Sequence, residues 1–302
     1  MQFALILVLA FALGAVALGA ERRHRRLRRR IARLDRREME MLHAVKPLYA
    51  FRAEERLRAA GRAARMPVEF RSQFGEDLFL DELFAGQAEG FFVEVGAYDG
   101  YTYAVTYAFE AMGWTGLLVE AVPSLHALAA ARRPGSRVVN AALSRRGSSG
   151  TASFTHLIDS RAPGGGGGGY DASSFLDDPA GRGFTKRPPR TAEERVEVPL
   201  TTMDDLLSEH SGAIDLVVID VEGHEIALLD GFDLARFRPR VILIEDHGLG
   251  ADPTLAEYLG ARGYEHVCWL SYNRVLVRRD EGALLERARR IAQHTATAKT
   301  AG

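Results

Sequence analysis

Acidic residues stand at the ends of apolar runs in this chain, and chemistry could be done there. Glu94 lies in Phe91-Phe92-Val93-Glu94-Val95-Gly96-Ala97-Tyr98-Asp99-Gly100. A carboxylate in such a run is costly unless hydrogen bonds satisfy it. Gly96 and Gly100 let the backbone turn tightly and let a ligand approach the main chain. Gly116-Leu117-Leu118-Val119 ends in Glu120, 20 residues after Gly100. That is where a nucleotide fold places the acid that takes ribose hydroxyls. The plain alternative is a solvated strand end, and the glycine turn favours the ribose reading. Asn140 closes Arg137-Val138-Val139-Asn140 and suits either an adenine edge or a turn cap. A second loaded stretch is Asp220-Val221-Glu222-Gly223-His224-Glu225, and a third is Glu245-Asp246-His247. Their carboxylates and imidazole offer a general base or, as the weaker reading, a hard-cation site on Asp220, Glu222 and Glu245. Glu222 and Glu225 could equally brace the following helix through its dipole. His224-Glu225 is not a zinc-protease motif, because Leu228 stands where the second histidine would be. No metal is expected.

Strands and helices must alternate to bring these residues together. The run at 91–95 is apolar enough for a strand covered on both faces, and 116–120, 137–140, 214–220 and 241–247 read as the further strands. Helices are expected over 72–84 with Ser72 as N-cap, 101–112 ending at Gly113, 123–131, 201–207 and 226–231. Residues 264–270 and 274–278 read as a closing hairpin around Tyr272-Asn273, and 281–302 as a terminal helix. This order implies an α/β doubly wound sheet, whose ligands sit beyond the strands' carboxyl ends. If the strand at 214–220 continues, Asp220 and Glu222 share a face; so do Glu245 and His247. Residues 144–195 break the rhythm, with a short edge strand near 148–154, six glycines at 164–169 and a Pro/Arg-rich piece at 186–190. A lid or substrate-reading flap is expected, its specific contacts coming from flanks such as Tyr170, Ser173, Ser174 and Phe175.

The net charge of −1 hides an asymmetry: residues 21–65 carry 16 Lys+Arg against 6 Asp+Glu. Before them, residues 3–20 form an uncharged apolar run of 18. As a helix it spans about 27 Å at ~1.5 Å per residue, just short of a hydrocarbon core. The basic cluster after it, and the absence of a basic residue before it, favour an uncleaved signal anchor over a signal peptide, with the rest of the chain on the cytoplasmic side. Leu27, Leu34, Met41 and Leu48 recur at sevens, with Ile31 and Val45 alongside. That suits a short coiled coil, pairing copies through residues 21–52, or an amphipathic helix on anionic lipid, or a plain spacer. The anchor makes membrane lipids the nearer partner, and no nucleic acid is expected. The domain reading is an anchor at 1–20, a basic spacer at 21–66, a catalytic domain at 67–280 with 144–195 as its flexible insertion, and a C-terminal helix and tail at 281–302. The single cysteine, Cys268, excludes an intrachain disulfide and reads as buried packing.

Over residues 72–279 the chain resembles the FkbM family of class I S-adenosylmethionine-dependent methyltransferases. The resemblance rests on Ser72-Gln73-x-Gly75-Glu76-Asp77, on 92–97 with Asp99-Gly100, on Gly113-Trp114-x-Gly116, on Ile219-Asp220-Val221-Glu222-Gly223-x-Glu225, and on Ile244-Glu245. Ala121 departs from the family's frequent proline, which here stands at 123. The resemblance implies a Rossmann-like, mostly parallel seven-stranded sheet ending in an antiparallel hairpin. It implies that Glu94, Gly96, Ala97, Asp99 and Gly100 hold the cofactor's methionine and ribose end, and that Glu120 binds the ribose. Asp220, Glu222, Glu245 and His247 become the candidate bases for methylating a hydroxyl. The anchor suggests a saccharide or lipid-linked glycan acceptor. A nicotinamide oxidoreductase is a rival, weakened by the missing third glycine; a silent membrane-tethered binding module is another.

Overall fold

The computed structural model describes residues 39–159, 174–177 and 191–300. The expected anchor at 3–20 and the basic cluster lie outside the described residues. No helix among the described residues is long and apolar enough to cross a membrane. Two units divide the chain, 1–47 and 48–302. In the first, residues 39–47 are helical. The second opens with a helix, α1, at residues 48–59 and holds everything that follows.

Its organising element is a seven-stranded sheet. Five strands run parallel: β1 (Phe91–Val95), β2 (Thr115–Glu120), β3 (Ser136–Asn140), β8 (Leu216–Ile219) and β9 (Val241–Glu245). The hairpin β10 (Tyr264–Leu270) and β11 (Asn273–Arg278) completes it, β11 lying antiparallel to β9. The order is β10-β11-β9-β8-β1-β2-β3. The chain leaves β1 towards β2 and β3, then returns to β8 on its other side, so β1 and β8 flank a switch point where doubly wound sheets bind ligands.

Both faces are covered, as the apolar runs require. Val93, Val95, Leu117, Val119, Val217 and Ile219 face one core. Their sequence neighbours Phe92, Leu118, Leu216 and Val218 face the other. The first core is shared with α5 (Met203–Leu206), α6 (Glu225–Asp230), α7 (Leu234–Phe237) and α8 (Thr254–Ala261). The second is shared with α2 (Glu76–Phe84), α3 (Tyr107–Ala111) and α9 (Gly282–Thr300). Each fully buried Val, Leu or Phe contributes roughly 1.5–3 kcal/mol, so the two cores fix the strand ends firmly. The remaining helix, α4 (Pro123–Arg132), connects β2 to β3.

Three local expectations are corrected. Helix α2 begins at Glu76, not Ser72, and its N-cap is Gly75 in the left-handed region at φ 83°. The Ser72 amide and hydroxyl instead donate to the Asp77 carboxylate, at 2.8 and 2.5 Å. The helix expected over 101–112 is present only as α3. Side chains hold the donors of 101–106 elsewhere: Asp99 accepts from the Tyr101 and Thr102 amides, and Glu94 from the Val105 amide. Such side-chain bonds compete directly with helix. The short edge strand near 148–154 is nine residues long and central. As β5 (Thr151–Asp159) it lies between β6 (Phe175–Leu176) and β7 (Thr191–Thr201) in a second sheet ordered β4-β7-β5-β6, β4 being Ala142–Leu143.

Candidate active site

The turn after β1 is built by close approach. Gly96 has φ +83°, and a Cβ there would stand 1.9 Å from the Asp220 carbonyl oxygen. The Asp220 amide donates to the Val95 carbonyl at 3.1 Å, so the two turns are locked edge to edge. Gly100, at φ +74°, lies against α4: a Cβ would fall 2.8 Å from the Ala129 Cα. Above these turns is a cavity of about 540 Å³, within the size range of small-molecule sites.

Glu94, Gly96, Ala97 and Glu120 all line this one cavity. Glu94 is buried; its Oε1 accepts from the Val105 amide at 2.8 Å and its Oε2 from the Thr106 hydroxyl at 2.5 Å. Asp99, also buried, accepts from the Thr102 hydroxyl at 2.9 Å and pairs with Arg132 at 2.5 Å. Asp99 and Gly100 therefore shape the turn from behind the wall. The Asn140 amide nitrogen donates to the Glu120 and Ala121 carbonyls at 2.9 and 2.7 Å, which pins the end of β2.

Glu120 lines the cavity with backbone donors on both carboxylate oxygens. Oε2 accepts from the Tyr98 amide and Oε1 from the Val122 amide, both at 2.8 Å. The Ala121 amide adds a third backbone donor to this carboxylate. Burial, reinforced by the Asp99 charge, pushes the Glu120 carboxyl up to about 7 despite those amide bonds. A donor pair from a ligand would draw it back down.

The opposite side is crowded with like charge. The strand at 214–220 ends at Ile219, and Glu222 adopts φ 51°, so Asp220 and Glu222 sit on a turn rather than on one strand face. Both still line the cavity, as do Glu245 and His247. β9 stops at Glu245; His247 lies beyond it, with Nε2 3.2 Å from both Glu222 Oε2 and Glu245 Oε1. Those two hydrogen-bonding carboxylates raise the imidazole to about 11, so it is an imidazolium at neutral pH. Asp220 is held well above the carboxylate range by its enclosure and by the charges of Glu245 and Glu222. Its side chain opens onto the cavity rather than into packed protein. The neighbouring charges are therefore the firmer cause. Glu225 stands outside the cavity wall. It accepts from the Gly223 amide at 3.0 Å, and burial pushes it up to about 7. Ligand atoms of Glu222, Glu245 and His247 fall within 4.8 Å of one another, a spacing that a cation also uses. The protonated imidazole already supplies positive charge there.

Sequence reasoning passed over several wall residues. Phe74 and Tyr272 meet edge to face at 6.1 Å and line the cavity. Phe154 and Leu176 of the second sheet line it too, beside the anticipated Ser174. Buried His224 does so as well, its Nε2 3.0 Å from the Ser144 hydroxyl. A signal existed for Phe74, which sits inside the Ser72–Asp77 motif. Cys268 is half-buried, its thiol pushed up to about 12 by burial, as befits packing rather than nucleophilic use.

The sequence model of the methyltransferase FkbM domain matches residues 94–265, more than half of the chain. No curated protein matches the chain significantly. Among solved structures, the METTL16 methyltransferase domain is 14% identical over 70% of this chain and 66% of its own, with a TM-score of 0.38. A precorrin-6y C5,15-methyltransferase from Geobacter metallireducens is 14% identical over 68% of this chain and 86% of its own, with a TM-score of 0.36. A TehB-like SAM-dependent methyltransferase from Corynebacterium glutamicum is 15% identical over 76% of this chain and 98% of its own, at 0.35. At such scores the family match carries the assignment, and it sets the nicotinamide alternative aside. The chain belongs to the FkbM methyltransferase family, and its cofactor is S-adenosylmethionine.

Proposed function

We propose that the protein methylates a hydroxyl oxygen of a saccharide or lipid-linked glycan at the cytoplasmic face of a membrane. When bound, S-adenosylmethionine supplies an electrophilic methyl group on a sulfonium sulfur. Glu120 would hold the ribose hydroxyls, with the Gly96–Ala97 turn beneath the nucleoside's methionine side. A sugar hydroxyl is a weak nucleophile, so a base is required and is worth about 10²–10⁴ in rate. His247 is unsuited, because its Nε2 is engaged by the Glu222 and Glu245 carboxylates, each 3.2 Å away. Asp220 is the better base: it lines the cavity and neighbouring carboxylates raise its proton affinity. It would accept the hydroxyl proton as the oxygen–methyl bond forms, while Glu222, Glu245 and His247 set its charge environment.

The observation that carries this reading is the sharing of one cavity by Glu120 and the Asp220–Glu222–Glu245 group. The apolar run at 3–20 and the basic stretch after it support the membrane location. Glycans and lipids from cells with and without the protein would be compared by mass. A 14-dalton difference on a saccharide is the expected result; the same difference on a protein or nucleic acid alone would refute the acceptor class. Removing residues 2–20 should release the protein from the membrane fraction. Unchanged fractionation would remove the anchor from the proposal.

A further inference from the structure

Arg133 is fully buried, at 0% exposure, and the chemistry above does not use it. Its guanidinium reaches in two directions. Nε donates to Glu110 Oε2 at 2.8 Å, and Glu110 also accepts from the Gly135 amide and the Ser136 hydroxyl. That half ties α3 to the α4–β3 connection. The other half grips both ends of one loop. One terminal nitrogen donates to the Gly100 carbonyl at 3.3 Å and stands 3.5 Å from Glu94 Oε2. The other donates to the Thr106 hydroxyl at 2.8 Å, and that hydroxyl donates onward to Glu94. Between those ends, Thr102, Tyr103, Ala104 and Val105 line the cavity.

We propose that Arg133 is a positioning residue for cofactor binding: through Thr106 and Glu94 it holds residues 101–106 in place as one wall of the S-adenosylmethionine cavity. Two physical points support this. The buried Glu94 carboxylate needs a compensating cation, and Arg133 is the one beside it. The grip also needs a planar fork. A lysine ammonium cannot serve Glu110, Gly100 and Thr106 from one position, so the arginine is not exchangeable. The loop lacks regular helical bonds over 101–106; Asp99, Glu94 and Arg133 restrain it instead, together with a Ser72–Tyr103 bridge and the Tyr101 hydroxyl's bond to Glu69.

The test titrates S-adenosylhomocysteine into the full-length protein by calorimetry and records thermal unfolding of each variant. Thr106→Ala removes the bridging hydroxyl without leaving a charge unpaired. It should weaken S-adenosylhomocysteine about tenfold, the scale of one buried hydrogen bond. Ser136→Ala, on the Glu110 half, should lower the unfolding temperature and leave the dissociation constant within about twofold, within the effect expected for a distant site. Arg133→Lys should weaken binding at least as much as Thr106→Ala, and the double variant should be no weaker than Arg133→Lys alone, since both cut one linkage. If Arg133→Lys fails to fold, the Thr106→Ala result decides. Normal binding by Thr106→Ala, or losses that add in the double variant, overturns the proposal while leaving the cofactor assignment intact. No binding by the unaltered protein overturns both.

Discussion

The two ends of the cavity handle negative charge in opposite ways. Where β1 and β2 end, each acid is met by donors: Glu94 by Val105 and Thr106, Asp99 by Tyr101 and Thr102, Glu120 by Tyr98 and Val122. Where β8 and β9 end, Glu222 and Glu245 share the His247 imidazole, and their charges bear on Asp220 beside them. The first arrangement is preorganised to hold a ligand still. The second raises proton affinity, as a group that must take a proton requires.

Variants can break this contrast. Asp220→Asn should cut methyl transfer from labelled S-adenosylmethionine to a membrane extract by about 10²–10⁴. Its S-adenosylhomocysteine affinity should fall far less than its turnover, because a base acts on the acceptor's proton and that interaction is made only in the transition state. A similar loss in both would place Asp220 on the cofactor side instead. Gly96→Ala should destabilise the domain by about 3 kcal/mol, the upper range for strained backbone, because its Cβ meets the Asp220 carbonyl. Chemical unfolding measures it, and wild-type stability would mean the two turns are free to separate. Glu120→Ala should weaken S-adenosylhomocysteine by roughly one to two decades, the scale of hydrogen bonds to a charged group. Calorimetry reads this, and an unchanged constant would strike Glu120 from the ribose site.

The pH dependence sharpens the contrast further. Glu120 and Glu225 are raised to about 7 in the folded protein, so they bind more protons folded than unfolded. Their contribution to stability is full below the unfolded value, near 4.5, and is lost as pH rises through about 7. His247 acts in the same direction later, its contribution fading between 6.5 and about 11. The melting temperature should therefore fall from pH 5 to pH 8. His247→Gln should flatten only the alkaline limb. A melting temperature that climbs over the acidic range would contradict the burial of Glu120.

Much of this was legible in the chain. Four of the five parallel strands announce themselves as runs apolar on two faces, and the acids at or just past their ends are conspicuous for that reason; β3, Ser136–Asn140, is the more polar fifth. Glu120 and Asp220 stand out as polar residues at the edge of an apolar run. The loop at 101–106 was not legible. Its amphipathic pattern suits a helix, and what prevents one is the Glu94 side chain, which reaches Thr106 twelve residues on. Nor was β5 legible. Its pairing runs from Thr151 opposite Pro199 to Asp159 opposite Thr191, and no local signal records a partner so far along the chain. Asn140 shows the limit of residue type alone: an amide suits a nucleobase as well as a turn, and only the geometry places it on the Glu120 and Ala121 carbonyls.

The small sheet that contributes Phe154 and Leu176 to the wall is spliced in after β3, once the strands that carry Glu94, Gly96 and Glu120 to the cavity have already been laid down. Its hydrogen-bond ladder is separate from theirs. The wall it supplies can therefore change in sequence without touching the hydrogen bonds that fix the turns at Gly96 and Glu120.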